Sequence, residues 1–105
     1  MEKDLNYSEL YQEYKALLTD NQSEVFNLYY LCDLSLGEIS EIKGISRQGV
    51  NDTLNKTRDL LLNYEKNLKI LEKKRTLTQF ANSLSNEKEK AELIKLLGTY
   101  NGKRI

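Results

Sequence analysis

The 105-residue chain is 39% hydrophobic and 30% charged, a globular balance. Its 16 Lys+Arg match 16 Asp+Glu, so no global positive field draws it to nucleic acid or to an anionic membrane, and such binding needs a local patch. With no histidine and the single Cys32, an internal disulfide, the usual zinc ligand sets and Cys-His or Ser-His relays are excluded.

No phosphate-cradling glycine loop is present either. No catalytic residue, metal site or cofactor is therefore expected. The opening MEKDLNYSEL lacks the basic-then-apolar order of a signal peptide, and no uncharged apolar run approaches the ~18 residues of a membrane span. A cytoplasmic protein without membrane insertion is expected, with Cys32 as a small buried apolar residue. Proline is absent, which leaves nothing to break long helices from within.

Over residues 7–18, Tyr7, Leu10, Tyr11, Tyr14, Leu17 and Leu18 follow the three-four rhythm of one helical face. Thr19 and Gln22 then stand in the reciprocal capping arrangement, each side chain satisfying an orphan amide of the first turn, and open a second helix over about residues 20–31. Ser35 with Glu38 repeats the arrangement and opens a short helix through Leu36, Ile39 and Ile42, which Gly44 stops.

Ser46 caps the next helix. Along it Val50, Leu54, Thr57, Leu61, Tyr64, Leu68 and Leu71 are spaced alternately by four and three, a heptad stripe. No glycine or proline interrupts residues 50–75, which predicts one long helix over about residues 46–74, roughly 28 residues and 42 Å at ~1.5 Å per residue. Its far half leaves Leu61, Tyr64, Leu68 and Leu71 in water unless the tail folds back on them or a second copy packs there. These are the candidate dimer or tail-packing residues, and a homodimer is expected.

The tail holds a helical pair: TLTQFANSL, with Leu77, Phe80, Ala81 and Leu84, and NEKEKAELIKLLG, capped by Asn86 with Glu89 and closed by Gly98. The fold class is all-α. A helix-turn-helix domain is expected over residues 1–62, with a helical extension and tail over residues 63–105 in the same folding unit.

In a helix-turn-helix, a short helix turns at a glycine into a second, with a small residue where they cross and apolar residues holding the angle. Ser40 takes the crossing position, Gly44 the left-handed turn, Ile39 and Val50 the core, and Ile45 is expected to point inward with them. A plain helical corner with no binding role has the same pattern.

The segment LTDNQSEVFNLYYLCDLSLGEISEIKGISRQGV, residues 18–50, continued by NDTLNKTRDLLLNYEKNL, resembles the YlxM family of small bacterial helix-turn-helix proteins, themselves similar to region 4 of sigma-70 factors. The likeness rests on LT with Gln22, on LYYL, on DLSLGEI and on SRQ with Val50 and Asp52. It implies an all-helical, sigma-70 region 4-like bundle extended by a long helix, often homodimeric. It also implies a regulatory link to the signal recognition particle pathway, with the particle's protein or RNA as partner. Four positions depart from the family: Ile42 and Lys43 are inverted before the turn, and Ser40 and Gly49 replace the more usual alanine. The inversion implies either a rotated first helix or a Lys43 stem laid along the core edge with its amine in water.

With Val50 facing the core, a 100° step per residue puts Gln48, Asp52, Asn55 and Asp59 on the opposite face and Arg47, Asn51 and Arg58 along one flank. Arg47, Gln48, Asn51, Asp52, Asn55 and Arg58 are thus the candidate nucleic-acid-binding residues. The amides suit adenine edges and Asp52 suits cytosine. The carboxylates, however, oppose phosphate.

A basic cluster lies further along, at Lys66, Lys69, Lys73, Lys74 and Arg75. It reads either as a solvated helix face with Glu65 and Glu72 as partners, or as a phosphate-facing strip for RNA. Tyr7, Tyr11, Tyr14, Tyr29 and Tyr30 are expected to pack the joint of the first two helices. Two functions follow: a non-enzymatic accessory of the targeting machinery that binds nucleic acid or a protein partner, and a sequence-specific DNA-binding transcriptional regulator.

Overall fold

The computed structural model describes residues 5–100. Its helices are α1 (Leu5–Tyr14), α2 (Asp20–Phe26), α3 (Leu36–Lys43), α4 (Arg47–Leu68), α5 (Ile70–Asn82) and α6 (Glu87–Tyr100), and there is no strand among the described residues. A 3₁₀ turn, Lys15–Leu17, follows α1, and a wider π turn, Asn27–Leu31, prolongs α2.

Capping sets the starts of these elements. Thr19 Oγ1 accepts from Gln22 N at 3.1 Å while Gln22 Oε1 accepts from Thr19 N at 3.0 Å. Ser35 and Glu38 do the same at 3.1 and 2.8 Å, and Asn86 Oδ1 accepts from Glu89 N at 3.0 Å. Gly98 does not close the last helix, because α6 runs through it to Tyr100.

Two apolar clusters meet at Tyr30. One gathers Val25, Ile39, Val50 and Leu54 from α2, α3 and α4. The other joins Leu10, Tyr11 and Tyr14 of α1 to Phe26 and Leu61. The aromatic residues stack through this joint as expected, Tyr11 on Phe26 at 4.5 Å and Phe26 on Tyr30 at 4.3 Å between ring centres. Thr57, a buried polar member of the α4 stripe, satisfies its hydroxyl by donating to Thr53 O at 2.7 Å.

The long helix expected over residues 46–74 is broken. α4 ends at Leu68, and Lys69 takes the left-handed conformation, φ 55° and ψ 32°. That conformation costs a non-glycine residue about 1–2 kcal/mol. It is stabilised by side chains that replace the helical carbonyls. Tyr14 Oη accepts from Ile70 N at 3.1 Å, and the two oxygens of Glu65 accept from Leu71 N and Glu72 N at 3.1 and 3.0 Å. Bonds to a charged group contribute about 1.5–3 kcal/mol each, so capping outweighs the local strain.

The bend also corrects the expected cover of the stripe. Leu61, Tyr64, Ile70 and Leu71 pack with Leu10, Tyr11 and Tyr14 of α1, so the first helix covers them rather than the tail. Leu68 is left 45% exposed. Cys32, expected in the core, is exposed, because it follows the π turn where the chain leaves α2.

Candidate nucleic-acid interface

The corner between α3 and α4 is built from backbone and side-chain bonds together. Gly44, φ 69° and ψ 31°, ends α3, with its N–H and that of Ile45 both donating to Ser40 O at 2.9 and 3.2 Å. Ser40 Oγ donates to Ile45 O at 2.6 Å, pinning the turn from inside. Ser46 Oγ then accepts from Gly49 N at 2.9 Å and starts α4.

Ile45 does not point inward as expected. It is 40% exposed and lies over Gly49, where an added Cβ would stand 3.6 Å from its Cδ1 and 3.3 Å from Ser46 Oγ. The inversion before the turn resolves through Lys43, whose half-buried side chain reaches Glu24 Oε1 as an ion pair. Ile42 is 59% exposed in consequence.

On α4, Gln48, Asp52, Asn55 and Asp59 are all exposed, and Gln48 Nε2 donates to Asp52 Oδ1 at 2.8 Å. Asn51 is half-buried. Arg47 lies against the first turn of α3, so close that a Cβ on Gly37 would meet its Nη2 at 2.9 Å. Arg58 is half-buried as well. Its Nη1 donates to Tyr30 Oη at 3.0 Å and its Nη2 to Asn55 Oδ1 at 2.5 Å, and its guanidinium sits 6.0 Å from the Tyr7 ring centre. Of the flank expected to carry Arg47 and Arg58 toward a ligand, Arg58 is thus turned onto the protein, whereas Arg47 stays exposed beside Gly37.

The basic cluster is divided in a similar way. Lys74 is buried and its Nζ lies 2.7 Å from Glu13 Oε1, while Arg75 Nη2 meets Glu9 Oε1 at 2.6 Å. Lys66, Lys69 and Lys73 stay exposed. The partners are therefore carboxylates of α1, and Glu65, expected to pair with these lysines, is engaged at the α4–α5 joint. Glu9 and Glu13 were the residues sequence reading missed. Their four-residue spacing was visible, but the α1–α5 contact that uses it arises only from the bend at Lys69.

Among the described residues no group of His, Cys, Asp or Glu is arranged to hold a metal ion, and no helix is long and apolar enough to cross a membrane. A capped pair of short and long helices joined at a left-handed glycine, inside an all-helical fold, defines a helix-turn-helix protein. Over residues 1–99 the chain matches the family UPF0122, "Putative helix-turn-helix protein, YlxM / p13 like", and it belongs to that family.

A UPF0122 protein of Caldanaerobacter subterraneus subsp. tengcongensis is 58% identical over 64 residues, 61% of this chain and 55% of the relative. The chain thus spans about half the length of that relative. One from Thermoanaerobacter sp. (strain X514) is 45% identical over 86 residues, 82% of this chain and 71% of the relative. One from Mycoplasma capricolum subsp. capricolum is 41% identical over 98 residues, 92% of this chain and 87% of the relative.

Proposed function

We propose that this chain is a non-enzymatic regulatory accessory protein of the cytoplasm that docks a macromolecular partner with the outward face of α4, without gripping duplex DNA by charge. The observation that carries this is the fate of the charges on that face. Asp52 and Asp59 are exposed beside the amides of Gln48 and Asn55, with Lys56 the exposed cation between them, while Arg58 is drawn to Tyr30 and the exposed Arg47 lies beside Gly37 of α3. A carboxylate beside a phosphate is opposed by on the order of 1 kcal/mol per close pair, and duplex binders give such surface to arginine and lysine.

An amide-rich face whose two exposed carboxylates are only partly offset by Lys56 suits a basic protein surface. The resemblance to the YlxM family supplies the partner class: the signal recognition particle's protein component, with its RNA as the second choice through Lys66, Lys69 and Lys73. A homodimer belongs to the same reading. Leu68, Leu77, Phe80 and Leu96, 45%, 44%, 57% and 66% exposed, supply apolar surface for it.

The test is a crosslinking pull-down of the full chain from cells, with both protein and RNA identified. Recovery of the particle's protein, lost on Asp52→Lys with Asp59→Lys, is the expected result. Recovery of neither particle component overturns the proposal, and a monomer mass by light scattering removes the dimer. The second reading, a sequence-specific DNA regulator, is favoured by the exposed Gln48 in the first turn of α4 and the exposed Asn55 in its third. A gel shift against genomic fragments at ~50 mM salt, where electrostatic binding is strong, decides it.

A further inference from the structure

We infer that the α4–α5 joint is a two-position element, held bent by α1, whose release lets α4 and α5 fuse into one straight helix. The break falls in a stretch, EKNLKILEK over residues 65–73, that holds neither glycine nor proline and is made mostly of good helix formers. Lys69 alone on this stretch leaves helical geometry, with φ 55°. Straightening therefore changes the dihedrals of a single residue.

The backbone bonds exchange without loss. Lys69 N donates to Glu65 O at 2.8 Å and Lys73 N to Lys69 O at 3.0 Å in the bent form, and both are ordinary helical bonds that a straight helix keeps. Three amides change partner. Ile70 N leaves Tyr14 Oη, and Leu71 N and Glu72 N leave the Glu65 carboxylate. In a continuous helix they meet the carbonyls of Lys66, Asn67 and Leu68 four residues back. Each arrangement satisfies every amide of the joint, which is the condition for two discrete states in place of a frayed one.

α1 decides between them. Its Tyr14 Oη accepts from Ile70 N and donates to Glu65 Oε1 at 2.5 Å, and its Glu13 and Glu9 tie down Lys74 and Arg75 of α5. In the straight form Leu61, Tyr64, Leu68 and Leu71 share one face at heptad spacing. That face is uncovered only when α1 gives up the joint.

The test is nuclear magnetic resonance of the full-length chain. A positive φ at Lys69 gives a strong intraresidue HN–Hα cross-peak, whereas a continuous helix gives Hα–HN cross-peaks from Asn67 to Ile70 and from Leu68 to Leu71. The native chain is expected to show the first pattern. Tyr14→Phe with Glu65→Ala is expected to move the bent-to-straight ratio about tenfold toward the second. Adding Lys69→Gly, which tolerates the left-handed position, returns it. Should the double variant not fold, Glu65→Ala alone carries the same readout, since it leaves the Tyr14 ring in the core. A joint that stays bent in these variants, or residues 66–72 that turn to coil without forming helix, overturns the inference.

Discussion

Lys74 Nζ lies 2.7 Å from Glu13 Oε1, and both side chains are nearly sealed from water, 10% and 7% exposed. Breaking such a pair by removing one partner strands the other charge away from water and costs about 3 kcal/mol, whereas replacing both by apolar residues of similar size is close to neutral. Glu13→Ala is therefore expected to lower unfolding free energy by about 3 kcal/mol, and Glu13→Leu with Lys74→Met to restore most of it. Urea denaturation of the three chains measures this. A double variant that loses as much as the single would contradict this, since the cost would then come from losing the pair and not from a stranded lysine.

Gly44 adopts φ 69° with open space around the position of an added Cβ. Any loss on substitution thus comes from the backbone alone. Gly44→Ala should destabilise by about 1–2 kcal/mol, and Gly44→Asn by clearly less, because asparagine enters this region more readily. Thermal unfolding ranks the three residues, and an alanine variant as stable as the native chain would contradict the strained turn.

Gly37 and Gly49 both sit in helical first turns yet should respond differently to alanine. At Gly37 the added Cβ meets only the mobile end of Arg47, at 2.9 Å, which can swing away. Gly37→Ala is expected to gain up to about 1 kcal/mol of helix propensity. At Gly49 the neighbour at 3.3 Å is Ser46 Oγ, the capping oxygen of α4. Disturbing that cap offsets the gain, so Gly49→Ala is expected to be near neutral. Calorimetric melting of the two variants side by side checks the contrast.

Burial first, and then the bond to Glu65, push the Tyr14 phenol up from 10.0 to about 12. The neutral phenol is thus favoured by the fold. Its contribution to stability is present in full below pH 10 and is lost as pH climbs through about 12. Phenolate absorbance during alkaline titration should show one of the seven tyrosines ionising late, and Tyr14→Phe should remove that step. A native titration curve unchanged by the substitution would contradict the buried bond.

The helix-turn-helix was legible because its signals are local. Ser35 with Glu38, Gly44 and Ser46 each act within four residues, and the structure shows every one of those bonds. The exposed row Gln48, Asp52, Asn55 and Asp59 followed from helical periodicity in the same way. The break at Lys69 was not legible, since its caps come from Tyr14 in α1 and from Glu65, and no glycine or proline marks it. The carboxylate partners of Lys74 and Arg75 were not legible for the same reason: Glu9 and Glu13 reach Arg75 and Lys74 only after the bend has brought α5 against α1. Ile45 carried an apolar side chain to a position whose neighbour, Gly49, offers nothing to bury it fully.

The two clusters also impose an order on the chain as it leaves the ribosome. Val25, Ile39, Val50 and Leu54 are complete once α4 is half made. α1, made before the corner, finds Leu61, Ile70 and Leu71 only after the rest of α4 and the start of α5 have followed. A nascent chain thus presents the finished corner of α3 and α4 while α1, which already has Phe26 to stack on, still lacks the α4 and α5 side chains that complete its packing.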